Sequence, residues 1–183
     1  MAIIHPAPTG EERHFGEDEI IVSKTDLRGV ITYANDVFIR VSGYSEGELL
    51  GAPHSILRHP AMPRCVFKLL WDTVKGGNEI FAYVLNLAKD GGEYWVFAHV
   101  TPSYNLAGQH VGYHSNRRVP YADALEKVRP LYAQLLAVEK RAITPNAGME
   151  ASFKMMVDLL QGQNTDYSRF VFSLSESTQL AAA

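Results

Sequence analysis

Cysteine occurs once in the 183 residues, at Cys65, and that scarcity excludes a disulfide-built framework. A lone thiol fits a reducing compartment, so the expected location is cytoplasmic. No hydrophobic run approaches the roughly 18 residues needed to span a bilayer, and no membrane segment is read in the chain. The opening stretch, MAIIHPAPTGEERHFGEDE, lacks the basic, then apolar, then small-residue order of a secretory signal. Basic excess is missing too. There are 17 Lys and Arg against 20 Asp and Glu, a net charge of −3. With no Lys/Arg-rich cluster, this argues against nucleic acid as a partner.

The motifs of common enzymes and metal sites are also absent. The seven histidines contain no H-E-x-x-H, and there is no C-x-x-C. His54 and His59 lie five apart, a spacing that suits neither one helical face nor a tight pair of turn ligands. No G-x-S-x-G, no Gly-rich phosphate loop and no dinucleotide fingerprint follows a strand. Cys65 opens a helix, where a thiol can be activated, but an apolar-flanked single cysteine is more often packing. The reading is a binding or signalling protein rather than an enzyme.

What is present is ordered. Residues 1–18 hold two of the nine prolines and read as a loose or sheet-capping lead-in. EIIVSKT and VITYA form a hairpin across LRG. Helical spacing follows in Ala34, Val37, Phe38 and Val41, with Asn35 as N-cap and Gly43 as stop. Ser45 and Glu48 make a capping box. Pro63 opens a helix striped by Val66, Phe67, Leu70, Trp71 and Val74, stopped at Gly76-Gly77. Three strands come next, IFAYVLNLA, EYWVFAHVTPSY and HVGYHSNRRV, joined by glycine turns. The fold class is therefore α+β: a five-stranded antiparallel sheet with short helices on one face, followed by C-terminal helices. The core domain spans 19–119. In 120–141, Tyr121, Leu125, Val128, Tyr132 and Leu135 keep the 4-3-4-3 spacing of a paired-helix seam, with a kink or restart expected at Pro130. Residues 142–183 hold a last amphipathic helix striped by Met149, Phe153, Met156 and Leu160, and a tail.

Both faces of the sheet read as apolar. Phe81, Tyr83 and Leu85 share one side and Ile80, Ala82, Val84 and Asn86 the other, while Trp95 and Phe97 oppose Tyr94, Val96 and Ala98. A sheet covered on one side only should alternate apolar with polar. Something beyond the short helices must cover the second face: residues 1–18, the C-terminal helices, or a second subunit. Asn86 sits mid-strand, where an inward amide needs partners and an outward one does not. His110 and His114 share a strand face, leaving one inner and one wet-end histidine as the plain reading. Arg58-His59, between apolar residues and prolines in ILRHPAMP, forms a rigid cationic edge.

The run NDVFIRVSGYSEGELLGAPHSILRHPAMP, with LNLAKDGGEYWV and GYHSNR after it, resembles PAS sensory domains. More narrowly it resembles the FAD-binding PAS domain of bacterial aerotaxis receptors, over roughly residues 19–136. Asn-x-x-Phe with Ser-Gly-Tyr-Ser-x-x-Glu-Leu-x-Gly carries the PAS signal, and Pro-His-x-x-x-Arg-His-Pro-x-Met-Pro the narrower one. The resemblance implies a PAS fold with FAD as cofactor. It implies a binding site drawn from Asn35, His54, Arg58, His59, Trp71, Asn86 and His114, with Arg58 and His59 facing the cofactor or holding the loop beside it. Two departures are visible: GNEIFAYV carries Ile80 and Phe81 where related flavin domains have a Trp, and no Asn-Cys-Arg motif supports a cysteine adduct. Relatives of this kind continue into membrane and signalling segments, so a stand-alone sensor and a truncated receptor are both consistent with the chain.

The implied activity is redox or oxygen sensing, signalled to chemotaxis-type partners or a downstream domain, with a homodimer expected. Oxidation state changes a flavin ring edge between hydrogen-bond acceptor and donor. Asn86 and His114 are the side chains read as able to follow that change. The rivals are a haem PAS sensor with His59 or His114 as axial ligand, and a cofactor-free PAS dimerisation module.

Overall fold

Two strands, Ile21–Thr25 (β1) and Ile31–Ala34 (β2), pair antiparallel, and the chain then turns helical. Asn35 caps Asp36–Ser42 (α1), its Oδ1 accepting from Phe38 N at 3.0 Å. Gly43 ends the helix at φ 74°. The Ser45/Glu48 capping box opens the single-turn Glu46–Leu49 (α2). A 3-10 turn over His54–Leu57 leads through the prolines to Arg64–Lys75 (α3). Ile80–Leu87 (β3), Glu93–Tyr104 (β4) and His110–Arg118 (β5) complete one antiparallel sheet in the order β2-β1-β5-β4-β3. The structure, a computed structural model, describes residues 5–175.

Three helices follow: Ala122–Arg141 (α4), Pro145–Gly162 (α5) and Tyr167–Ser173 (α6). Of the kink or restart expected at Pro130, the restart does not occur. α4 runs through it, with Ala124, Val128, Tyr132 and Leu135 buried on both sides and Pro130 itself in solvent. Proline lacks the donor for one i→i−4 bond, here on the exposed side, while the buried residues on the other side pack without interruption. Tyr121, expected in the seam, is the 52% exposed N-cap residue, and Ala124 takes the buried position. Thr144 caps α5 by accepting from Ala147 N, and Pro145 fills its first turn.

The helices α4 to α6 cover the outer sheet face. Tyr132 of α4 donates its hydroxyl to the Tyr83 carbonyl at 2.8 Å and lies 6.1 Å from Trp95, ring to ring. Phe172 of α6 meets Phe81 at 4.8 Å and Phe97 at 6.2 Å. Of the three candidate covers, the chain's own C-terminal helices do this work. The N-terminal stretch lies elsewhere, along the start of β4. Glu93 N donates to the Glu11 carbonyl and Arg13 N to the Glu93 carbonyl. Arg13 pairs with Asp90, and Glu12 with Arg129 of α4.

Candidate functional site

On the inner side the sheet does not close against α3. The β3 to β4 register sets Val84 opposite Val96 and Asn86 opposite Tyr94, and β4 to β5 sets Ala98 opposite Arg117. Val84, Asn86, Ala98, Val100, Tyr113, Ser115 and Arg117 therefore point towards α3. Between them and α3 lies a cavity of about 520 Å³. That volume falls within the usual range for small-molecule and cofactor sites. The long side chains of α3, with Trp71 edge-on to Tyr113 at 5.3 Å, prop the two layers apart. Gly29 is needed here: it has φ +79°, and a Cβ on it would meet the Trp71 ring at 3.1 Å.

Four of the seven residues read from the sequence line this cavity: His54, Arg58, Trp71 and Asn86. Asn86 is buried, and its Nδ2 has no partner. Its backbone pairs with that of Arg58 in an isolated antiparallel bridge, which ties the cationic loop to β3. The Arg58 guanidinium stacks 5.0 Å over Phe67, and burial together with the neighbouring Arg64 charge lowers its pKa.

The other three are placed differently. Asn35 spends its whole amide on backbone: Oδ1 accepts from Val22 N and Phe38 N, and Nδ2 donates to the Ile20 carbonyl. It pins β1 to α1. His59 is buried but does not line the cavity. Its Nδ1 accepts from Ala61 N at 3.1 Å, which puts the ring proton on Nε2, 3.1 Å from Glu93 Oε2 though off hydrogen-bond alignment. Of the two roles implied for the pair, Arg58 faces the cavity and His59 holds the loop. His114 alternates with Tyr113 and Ser115 on β5, and its parity places it on the outer face beside Lys24 and Thr101. The inward role read for it is therefore corrected.

The inward residue that the sequence reading missed is Arg117. It is 3% exposed. One nitrogen, Nη2, donates to Ser23 Oγ and to His54 Nε2, both at 2.6 Å. Arginine only donates, so His54 Nε2 must be the unprotonated acceptor and the imidazole is neutral. Burial, with the Arg117 charge second, pushes the His54 pKa down to about 3. Arg117 lies 5.1 Å over the Phe38 ring. Burial drops its own pKa to about 10, so it stays cationic at neutral pH. Its Nη1 has no partner, nor do the buried Thr25 Oγ1 and Ser115 Oγ. A buried cation with spare donors costs stability unless something anionic or carbonyl-rich meets it. The deep wall of the cavity is thus a set of unspent hydrogen-bonding groups, and the rest of the lining combines aromatic and aliphatic side chains with the basic residues Arg28, Arg58, Arg64, Lys68 and Lys75. That is the donor set a flavin ring, with its carbonyl and imide edge, would match. The legible signal was strand parity from the apolar Tyr113, which puts Arg117 inside.

Residues 31–117 match the PAS fold family. The chain is 40% identical over 133 residues to the aerotaxis receptor of Escherichia coli, covering 73% of this chain and 26% of the receptor. It is 36% identical over 90 residues to the nitrogen fixation regulatory protein of Klebsiella pneumoniae, covering 49% of this chain and 18% of that protein. It thus spans about a quarter or less of the length of both relatives. Among solved structures, a light-oxygen-voltage domain studied with a flavin analogue superposes with a TM-score of 0.53 at 21% identity, covering 60% of this chain and 82% of that one. A PAS domain from Colwellia psychrerythraea gives 0.51 at 25% identity, covering 55% and 86%. With the five-stranded order, the helices over one face and the cavity between them, residues 31–117 are a PAS domain, and the chain that carries them is related to the bacterial aerotaxis receptor.

Proposed function

We propose that this chain is a cytoplasmic flavin-binding PAS sensor that holds FAD in its cavity and reports redox state, and through it oxygen level, to chemotaxis-type partners. The observation that carries the reading is the deep wall: unspent donors on Arg117 and Asn86 beside Thr25 and Ser115, at the end of an aromatic slot. When bound, a flavin supplies a ring edge that changes between accepting and donating hydrogen bonds with its oxidation state. Asn86 would answer by turning its amide, since one end accepts and the other donates. β3 carries that movement outward. The carbonyl of Tyr83, three residues along, accepts the Tyr132 hydroxyl of α4. One re-paired buried hydrogen bond is worth about 1 kcal/mol, enough to bias a two-state helix arrangement.

The haem alternative loses its ligands. His59 faces Glu93, His114 lies on the outer face, and the Nε2 lone pair of His54 is taken by Arg117. A homodimer built on the α4 seam would need a different surface, because Val128, Tyr132 and Leu135 are buried within the chain.

The test is an absorption spectrum of protein purified without added cofactor, followed by limited proteolysis of its oxidised and dithionite-reduced forms. Twin near-ultraviolet and blue bands, with released FAD, are expected. α4–α6 should cut differently in the two states, and Asn86→Leu should abolish that difference while keeping some flavin. A colourless protein, or a Soret band, overturns the cofactor. Identical cutting in wild type overturns the switch.

A further inference from the structure

α3 has no cap of its own. Its N-cap residue is Pro63, which carries no side-chain acceptor, and its first turn holds no acidic residue. α1, α5 and α6 each begin beside a polar side chain, Asn35, Thr144 and Asp166, that accepts from an amide of their first turn. α3 takes its cap from 74 residues away: Glu139, near the end of α4, accepts from the Cys65 amide at 3.0 Å with Oε1. A carboxylate there meets both an orphan donor and the positive end of the helix dipole. Burial pushes the Cys65 thiol up to about 11. It stays protonated, and no second anion competes for that helix end.

The same oxygen is shared. The fully buried Ser152 of α5 donates its hydroxyl to Glu139 Oε1 at 2.9 Å, and lies 3.0 Å from the Met149 carbonyl on its own helix. A hydroxyl has one proton, so the two acceptors compete for it. Bonded to Glu139, it ties α5 to the cap of α3. Bonded to Met149, it closes back on α5. Both helices also meet the cavity, through Phe67, Leu70 and Trp71 of α3 and Met149 of α5. The Glu139 charge reaches the cavity loop, where it opposes the burial that lowers the Arg58 pKa. α5 has no slack at this point, because a Cβ on Gly148 would lie 2.5 Å from the Glu139 carbonyl oxygen.

We infer that Glu139 is a remote cap on α3 and that the Ser152 hydroxyl is a two-position switch, by which a shift of the cavity's α3 wall is passed to α5. A molecule between the sheet and α3 bears on α3 from one side. As the first turn moves, Glu139 Oε1 either follows the Cys65 amide or stays with Ser152. When it follows Cys65, the Ser152 hydroxyl turns to the Met149 carbonyl and α5 is released from α3. This line is separate from the one through β3 and Tyr132. It rests on the flavin reading only for the identity of the occupant.

The test is hydrogen exchange on the full-length protein as purified, read at the first turn of α3 and over residues 148–156 of α5. Glu139→Ala should speed exchange of the first-turn amides roughly five- to tenfold, the loss of one cap, and Glu139→Gln should restore most of the protection. An unchanged first turn overturns the cap. Trp71→Ala, or Trp71→Phe if the first does not fold, disturbs the cavity wall without any cofactor. It should change exchange over 148–156 about threefold or more, and adding Ser152→Ala should remove that response while α3 still answers. A response that survives Ser152→Ala is carried by packing and overturns the switch, as does the lack of any response with Ser152 in place. FAD added to flavin-stripped protein separates the two readings. If FAD does not bind, the flavin reading falls and the Trp71 variants still decide the switch. If FAD binds and leaves 148–156 unchanged, the switch is overturned and the flavin reading stands.

Discussion

At Arg117 the demands of stability and of binding point in opposite directions. A buried guanidinium without a carboxylate, its Nη1 unspent, is a poor choice for a folded core. Replacing such charges by apolar residues of similar volume is often neutral or stabilising. Arg117→Met should therefore leave the thermal midpoint unchanged or raised, with the Ser23 and His54 bonds as the loss to be offset. The same substitution should cut flavin retention after gel filtration at least several-fold, because it removes the cavity's deep cation. A variant that loses stability and keeps its flavin would make Arg117 a structural residue. The sequence shows why such a site is hard to read. Asn86 was legible as a strand amide needing partners. Arg117 sits beside an exposed arginine at a strand end, where a basic pair reads as solvated, and the two histidines drew attention to the opposite parity. Asn35 is the converse case: the local reading as an N-cap holds, and its further bonds to the Val22 amide and the Ile20 carbonyl hold β1 against α1.

Among elements, the locally determined ones were legible and the tertiary ones less so. α1 and α2 follow from caps a few residues away, and the strands from alternation and glycine turns. α6 was overlooked, although Asp166 caps it by accepting from Arg169 N at 2.8 Å, and Tyr167, Phe170, Val171 and Leu174 keep the i, i+3, i+4, i+7 spacing. Seven residues are too few to be a helix alone, so its existence depends on the surface it meets. The crossing of α4 and α5 depends on one close approach. Gly148 is buried, and a Cβ built on it would lie 2.5 Å from the Glu139 carbonyl oxygen. Glu139 in turn accepts from Ser152 of α5 at 2.9 Å and from the Cys65 amide at the start of α3 at 3.0 Å. Pushing α5 off α4 would disturb all three helices at once. Gly148→Ala, helix-favouring in isolation by about 1 kcal/mol, should instead destabilise the fold by roughly 1–3 kcal/mol, the range for overpacking. Chemical denaturation measures it; a gain in stability would show that the crossing relaxes freely.

For the whole molecule, the two apolar sheet faces meant that a PAS core could not be the entire folded unit. The faces could be read from alternation, but their cover could not: any amphipathic helix satisfies an apolar face, and sequence alone does not choose between a chain's own helix and a neighbour's. The structure assigns the inner face to the cavity and the outer to α4–α6, with Met149 of α5 reaching the cavity wall. The helices that would report the ligand are therefore also the helices that keep the outer face dry. Cutting the chain after residue 141 removes Phe172 and Val171 from β3 and β4 and strips α5 from α4. Phe81 and Phe97 lose the Phe172 ring, and Tyr83, Val128, Tyr132 and Leu135 lose Met156, Leu160 and Val171 opposite them, at about 1.5–3 kcal/mol for each side chain that goes from fully buried to exposed. A contiguous patch of that kind does not stay in water on a soluble monomer. Residues 1–141 should show a higher light-scattering mass than the full chain at equal concentration, and should bind a hydrophobic dye that the full chain excludes. Phe172→Asp in the full chain should move in the same direction by a smaller amount, since it unseats α6 and leaves α5 in place. If the truncated chain keeps the mass and dye response of the full one, the outer face does not need α5 and α6, and the route from Asn86 through Tyr83 to Tyr132 ends at a helix with nothing held shut behind it.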